Sequence, residues 1–203
     1  MKLFPAPAEE RALLRGFLRH RPPLRWWEGP LKDLSRCSRC GRPLSRHRPP
    51  GEDRPRWACP ACGLVHYQNP KIVAASLPSQ RGRVVLLRRA IEPAIGAWTY
   101  PAGYMELGET VEEAARRETR EEICARLGPL GPPMIYAYPD ASVVTIVYSA
   151  RIAGGKPRPG PEALEVRSFA PEEIPWGDLA FRSTYHALKD WVAGTPYLSR
   201  NSR

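Results

Sequence analysis

The stretch from Gly103 to Ala125, GYMELGETVEEAARRETREEICA, restricts the fold more than any other part of the chain. It packs seven glutamates into 23 residues, although the formal net charge of the whole chain is +10. Thr110 followed three residues later by Glu113 reads as a capping box, so a helix is predicted to begin at Thr110. Glu112→Arg116 and Glu113→Arg117 have the favourable i,i+4 order and account for two glutamates as outer-face chemistry. Turning about 100° per residue from Val111 puts Ala114 and Ala115 on one apolar stripe. The same rotation brings Glu118 and Glu122 onto that stripe and Glu121 to its border. Carboxylates there are disfavoured twice, by burial and by the partial negative charge of a helix C-terminus. Arg117 and Arg120 are near in sequence but fall on other faces. The expected partner is therefore a hard divalent cation, Mg²⁺ or Mn²⁺, shared by oxygen ligands at i, i+3 and i+4.

A second pattern lies upstream. Cys37-Ser-Arg-Cys40-Gly41 and Cys59-Pro-Ala-Cys62-Gly63 are two Cys-x-x-Cys-Gly units separated by 18 residues. Four thiolates so spaced match a tetrahedral Zn²⁺ ribbon, here bounded at 37–69. Each following glycine permits the tight turn that aims amides at sulfur. A segment this short has too little core to fold alone, so the metal is expected to supply folding energy. The spacing leaves open whether its role is structural or nucleic-acid binding.

The charge is uneven. Residues 1–70 hold 14 Lys/Arg against 6 Asp/Glu, and residues 71–203 hold 17 against 15. A basic front end suits polyanions: nucleic acid, anionic lipid or a phosphorylated substrate. No apolar run approaches the ~20 residues of a membrane span, and the first residues lack a signal-type block, so a cytoplasmic protein without a membrane partner is expected. Residues 1–36 read as a leader with a short helix at 8–20, and 197–203 as a tail. KIVAASL (71–77) and RVVLLRR (83–89) read as strands around Gly82. PMIYAYP, SVVTIVYSARI and EALEVRSFA follow as further strands, and 179–192 as a closing helix. Strands on both sides of a helix imply an α/β domain over 70–196, with a mixed sheet covered on both faces.

The glutamate stretch resembles the Nudix box, G-x5-E-x7-R-E-U-x-E-E-x-G-U, with U a bulky aliphatic. Gly103, Glu109, Arg117, Glu118, Glu121 and Glu122 stand in register, while Thr119, Cys124 and Ala125 depart from it. The resemblance implies a Nudix α/β/α sandwich preceded by a small zinc ribbon. It further implies hydrolysis at the pyrophosphate of a nucleoside diphosphate linked to another moiety, with Mg²⁺ or Mn²⁺ at Glu118, Glu121, Glu122 and the Gly103 carbonyl. In that reading Arg117 pairs with Glu109 to brace the loop. Glu165 is the candidate general base, with Glu162 and Glu121 as rivals. Arg89 is a candidate for a phosphate, and Tyr100 and Tyr138 are candidates to stack on adenine or flavin. The ribbon running into HYQNPKIVAASL and the later block PGPEALEVRSFAPEEIPWGDLAF look like plant-type FAD/ADP-ribose pyrophosphatases and their bacterial relatives. NADH pyrophosphatases share the plan but carry SQPWPFPxS after the box, where this chain has IYAYPDASVVTIVYSA. FAD or ADP-ribose is therefore the expected substrate, ahead of NADH, nucleotide sanitation or decapping. An intact glutamate set is more than a nucleic-acid-binding scaffold would need, so nucleic acid is not the expected partner. A homodimer is compatible with the resemblance.

Overall fold

The structure, a computed structural model, describes residues 35–194 and, outside that span, Ala8, Ala12, Arg200 and Asn201. The expected leader helix and most of the tail therefore lie outside the described residues. The chain divides into two compact units at Pro70/Lys71.

In the first unit, β1 (Ser45–His47), β2 (Arg56–Ala58) and β3 (Val65–His66) form an antiparallel sheet in that order. Two tight turns precede it and interrupt it. The Gly41 N–H bonds the Cys37 carbonyl and the Gly63 N–H bonds the Cys59 carbonyl, each at 2.9 Å. Both glycines are left-handed, with φ of 70° and 72°, which is why glycine follows each cysteine pair. The apolar cluster contains only Cys37, Leu44 and Cys59, with Trp57, Cys62 and Leu64 packed against them.

The second unit is built on β4 (Lys71–Gln80), β5 (Arg83–Arg89), β6 (Trp98–Thr99), β7 (Ala102–Tyr104), β8 (Arg126–Tyr138), β9 (Val143–Gly154), β10 (Ala163–Phe169) and β11 (Arg200–Asn201). Its main sheet runs β10-β5-β4-β9-β8-β11, with β6 paired to β5 and β7 to β4. The β4/β9 and β11/β8 pairings are parallel and the rest antiparallel, so the sheet is mixed, as expected.

Helix α1 (Val111–Ile123) covers one face and α2 (Arg182–Ala193) lies with the core on the other. Val85 and Leu87 pack with Ile123 of α1, while Val84 and Leu86 pack with Tyr185, Ala187 and Leu188 of α2. A strand buried on both faces needs an unbroken apolar run, and VVLL supplies it. Ala114 and Ala115 pack on Ala74 and Tyr148, confirming the apolar stripe of α1. The sequence predicts β8 only from its apolar end. Its first half, RLGPLGP, is hidden by glycine and proline and joins β9 through register shifts that absorb them. No helix among the described residues is long and apolar enough to cross a membrane.

Candidate active site

Helix α1 begins as the sequence predicts. The Glu113 N–H donates to Thr110 Oγ1 at 3.2 Å, and the Thr110 N–H donates to Glu113 Oε2 at 2.8 Å. The outer-face ion pairs do not form. Tyr148 donates its hydroxyl to Glu112 at 3.0 Å, and Arg116 reaches the Leu127 carbonyl at 2.8 Å.

The other end of α1 is held by main chain. Cys124 is left-handed (φ 55°) and its N–H closes on the Arg120 carbonyl at 3.1 Å. The segment between β9 and β10 then crosses the helix terminus. Arg158 N–H donates to Ile123 O at 3.1 Å, and Gly160 N–H donates to Glu122 O at 2.9 Å. These amides satisfy carbonyls that a helix end otherwise leaves to water. An added β-carbon at Gly160 would strike the Glu121 carbonyl, and one at Gly155 would lie 2.6 Å from the Cys124 carbonyl. The crossing therefore requires glycine at both positions.

Glu118 and Glu122 come together on the inner face of this terminus. Glu122 is 5% exposed and accepts the Ala102 N–H at 2.8 Å. Burial pushes its carboxyl up to about 8; the Ala102 N–H and Arg89 oppose that shift, and Glu118 and Glu162 add to it. Burial also raises Glu118, with Arg117 opposing. Gly103 lies directly against Glu118, and a β-carbon there would overlap the carboxylate. Glu121 differs from its two companions, with its side chain 57% exposed.

The Arg117 guanidinium reaches the carboxylates from its own face of the helix, and this overturns the expectation that they lack an arginine. It bonds Glu109 through two nitrogens (3.1 and 2.8 Å), Glu118 at 2.6 Å, Glu121 at 3.2 Å and the Tyr104 carbonyl at 3.2 Å. A long guanidinium reaches back along the helix, which a wheel drawn through Cβ positions does not show. The Glu109 brace is present as expected. Arg117 and the Glu106 N–H draw the Glu109 carboxyl down to about 2. Glu122 has no such arginine bond, so a buried carboxylate with a raised pKa and a second one beside it remain for a cation to satisfy. Hard oxygen donors suit Mg²⁺ or Mn²⁺.

Four expected positions are placed elsewhere. Glu165 sits beside Val166, which packs with the Ile123 cluster on the α1 side. Strand alternation turns Glu165 to the opposite face, where its neighbour two residues on, Arg167, lies over Trp98 and Phe169. Its rival Glu162 is instead among the charges acting on Glu118 and Glu122, and its carbonyl is fixed by the Ala90 N–H at 2.9 Å. Tyr100 is 1% exposed within the α2-side core. Tyr138 belongs to that core too, bonded to His186 at 2.9 Å. Neither ring can receive a ligand there. Arg89 is buried, and its nitrogens bond the Pro93 and Glu92 carbonyls at 2.7 and 3.2 Å. It works as a strut for the 90–97 loop while its charge acts on Glu122.

The departures from the box are accommodated locally. Thr119 is fully buried and bonds Ser76 of β4 and the Ala115 carbonyl, both at 2.7 Å. Ala125 is fully buried. Cys124 is half-buried and caps the helix. In the first unit the Cys37, Cys40, Cys59 and Cys62 sulfurs lie within 4.8 Å of one another, with Cys37–Cys62 at 3.6 Å and Cys40–Cys59 at 3.5 Å. Tetrahedral Zn–S bonds of ~2.3 Å require sulfurs about 3.8 Å apart, so the set fits zinc.

The NUDIX domain family model matches residues 68–191, and the Nudix N-terminal zinc-ribbon model matches residues 37–68. A NUDIX hydrolase from Nitrosomonas europaea of known crystal structure shares 38% identity with a TM-score of 0.75, covering 82% of this chain and 96% of its own. A Stutzerimonas stutzeri protein named NAD-capped RNA hydrolase NudC is 34% identical over 68% of this chain and 49% of its own length. A Methanocaldococcus jannaschii protein named ADP-ribose pyrophosphatase is 30% identical over 57% of this chain and 69% of its own. The chain spans about half the length of the NudC relatives it matches.

Proposed function

The chain belongs to the NUDIX family, and we propose that it is a pyrophosphohydrolase, cleaving ADP-ribose to AMP and ribose 5-phosphate and FAD to FMN and AMP. The observation that carries this reading is the pairing of buried Glu122 with Glu118 beside the side-chain-free edge of Gly103. Glu118 and Glu122, with exposed Glu121 and the Gly103 carbonyl, would hold Mg²⁺ or Mn²⁺. A cation held there neutralises phosphoryl oxygens and acidifies a water. Arg117 fixes the Glu118 carboxylate and the Glu109 loop, so the donors need not reorganise when charge develops. Glu162 takes the proton from the attacking water, because it acts on the same field as Glu118 and Glu122 while Glu165 faces away. The four cysteines would hold a structural zinc.

ADP-ribose is favoured by the named relative from Methanocaldococcus jannaschii, most of whose length is matched. FAD rests on the resemblance of the PGPEALEVRSFAPEEIPWGDLAF block. A second reading, cleavage of the pyrophosphate in NAD-type compounds, is favoured by the NudC relatives and opposed by the missing SQPWPFPxS stretch. Equal concentrations of ADP-ribose, FAD, NADH and NAD-capped RNA, with Mg²⁺ or Mn²⁺ and chromatography of products, test it. The expected result is AMP released fastest from ADP-ribose or FAD by kcat/KM. Preference for NADH or capped RNA would replace the substrate, and no turnover of any compound would refute the activity.

A further inference from the structure

We infer that the zinc-ribbon unit carries a docking surface for single-stranded nucleic acid, formed by the arginines of its first cysteine turn and the strand after it. Between residues 35 and 70 the chain has seven arginines, no lysine and only two carboxylates, Glu52 and Asp53. Both carboxylates are already engaged. Arg54 bonds Asp53 at 2.6 Å and Arg56 bonds Glu52 at 3.0 Å. The other five, Arg36, Arg39, Arg42, Arg46 and Arg48, are all exposed and pair with no carboxylate among the described residues.

The fold concentrates them. The Cys37 N–H closes on the Arg42 carbonyl at 2.7 Å, so Arg36, Arg39 and Arg42 ring one closed turn. Arg46 follows on the edge strand β1, opposite Trp57. Arg36 and Arg48 spend one nitrogen each on the Gly41 and Glu52 carbonyls, at 3.2 and 2.7 Å, which fixes their direction without neutralising them. Four thiolates on a dication leave two negative charges, fewer than the five arginines around them. Like charges gathered without counter-charges repel, and a polyanion relieves that repulsion.

Single-stranded nucleic acid fits better than a lipid surface. The cations are all guanidinium forks, which match phosphate oxygens in pairs. Tyr67 is the one large apolar side chain exposed among the described residues of this unit, and with its hydroxyl donated to Glu52 and Arg56 lying 5.4 Å from its ring centre it is held against the surface and is no anchor for insertion into lipid. The five arginines recur every two to four residues from 36 to 48, so their charge is spread along the chain as a phosphodiester backbone requires. This revises the expectation that nucleic acid is no partner. It does not depend on which pyrophosphate the second unit cleaves.

The experiment measures binding of short RNA and DNA single strands to the zinc-loaded full chain, with salt raised from about 50 to 200 mM. Arg39→Gln, Arg42→Gln and Arg46→Gln together should flatten the slope of log K on log salt by about 2, from ~0.7 per phosphate contact. Affinity should fall about tenfold or more at the low-salt end, with zinc content unchanged. The RNA and DNA arms tell which strand is preferred, and binding of either with this slope supports the surface. Salt-independent binding by the unaltered protein would overturn it, which keeps the test decisive if the triple variant misfolds. Equal affinity in the triple variant, or tighter binding to phosphatidylserine vesicles than to either strand, would overturn it as well.

Discussion

The Glu118 carboxylate fills the space that a β-carbon on Gly103 would occupy. The two residues lie on different elements, β7 and α1, so the position of a charged group in the site is set by the missing side chain of another residue. Gly103→Ala should displace the flexible end of Glu118 and leave the fold standing. Mn²⁺ affinity and turnover should each fall by roughly 10–100-fold, with the urea midpoint nearly unchanged. Unaltered Mn²⁺ affinity would show that Glu118 does not bind the cation.

Glu122 predicts a pH dependence of defined sign. Its carboxyl is raised from 4.5 to about 8 by burial, so its contribution to stability is fully present below the unfolded value near 4.5 and is lost as pH rises through 8. Glu109 has the opposite sign, but its window lies lower, between about 2 and 4.5. With the zinc retained and no Mg²⁺ or Mn²⁺ present, stability should therefore decline from pH 5 to 8. Over the same range Mn²⁺ binding should tighten by up to about tenfold per pH unit, because the cation must displace one proton from Glu122. Isothermal titration across that range checks both the slope and its plateau above pH 8, and a Glu122→Gln variant should abolish it.

Glu162→Gln and Glu165→Gln separate the two candidates for the base. The first should lower kcat by about 10²-fold or more while Mn²⁺ affinity changes little, as loss of a proton acceptor requires. The second, on the opposite face of the sheet, should stay within about twofold of the unaltered enzyme. The reverse ranking would restore Glu165.

Gly160→Ala forces a β-carbon into the Glu121 carbonyl, a main-chain group that cannot swing aside. The bond from Gly160 to Glu122 should be lost, with about 2 kcal/mol of destabilisation by denaturant titration. Turnover should fall more than the unfolded fraction explains, because the same segment positions Glu162.

Cys124 offers the converse change. Its left-handed backbone is strained for a side chain, and Cys124→Gly should stabilise the protein by up to about 1 kcal/mol after the greater freedom of glycine in the unfolded chain is subtracted. A fall in melting temperature would show that the thiol makes contacts worth more than the strain.

The sequence was most informative where a repeat distance speaks directly for geometry. The capping box, the alanine stripe, the paired cysteine turns and the doubly buried VVLL strand all took the positions their spacing implied. It was less informative where a long side chain reaches beyond its own face, as Arg117 does. Non-local packing was also hidden. Tyr100 and Tyr138 read as ligand-stacking rings, but α2, distant in sequence, covers them. The face that Glu165 takes was hidden for want of strand parity, which depends on knowing that Val166 meets Ile123. The crossing at Gly160 left one legible sign, a glycine set between prolines at Pro159 and Pro161, where a side chain would have been easy to accommodate in an open loop.

Ser76 and Thr119 share a hydroxyl–hydroxyl bond of 2.7 Å in a place wholly closed to water, and Thr119 stands where the box has an aliphatic residue. Replacing Thr119 alone by valine strands the Ser76 hydroxyl, at about 1–3 kcal/mol, and replacing Ser76 alone by alanine leaves Thr119 with its bond to the Ala115 carbonyl alone, a smaller loss of about 1 kcal/mol. Replacing both removes the unmet demand. The two positions therefore form an epistatic pair, in which every one-step path toward the aliphatic version descends before it climbs. Any ancestor or engineered descendant of this chain that carries the aliphatic residue at 119 should carry an apolar one at 76.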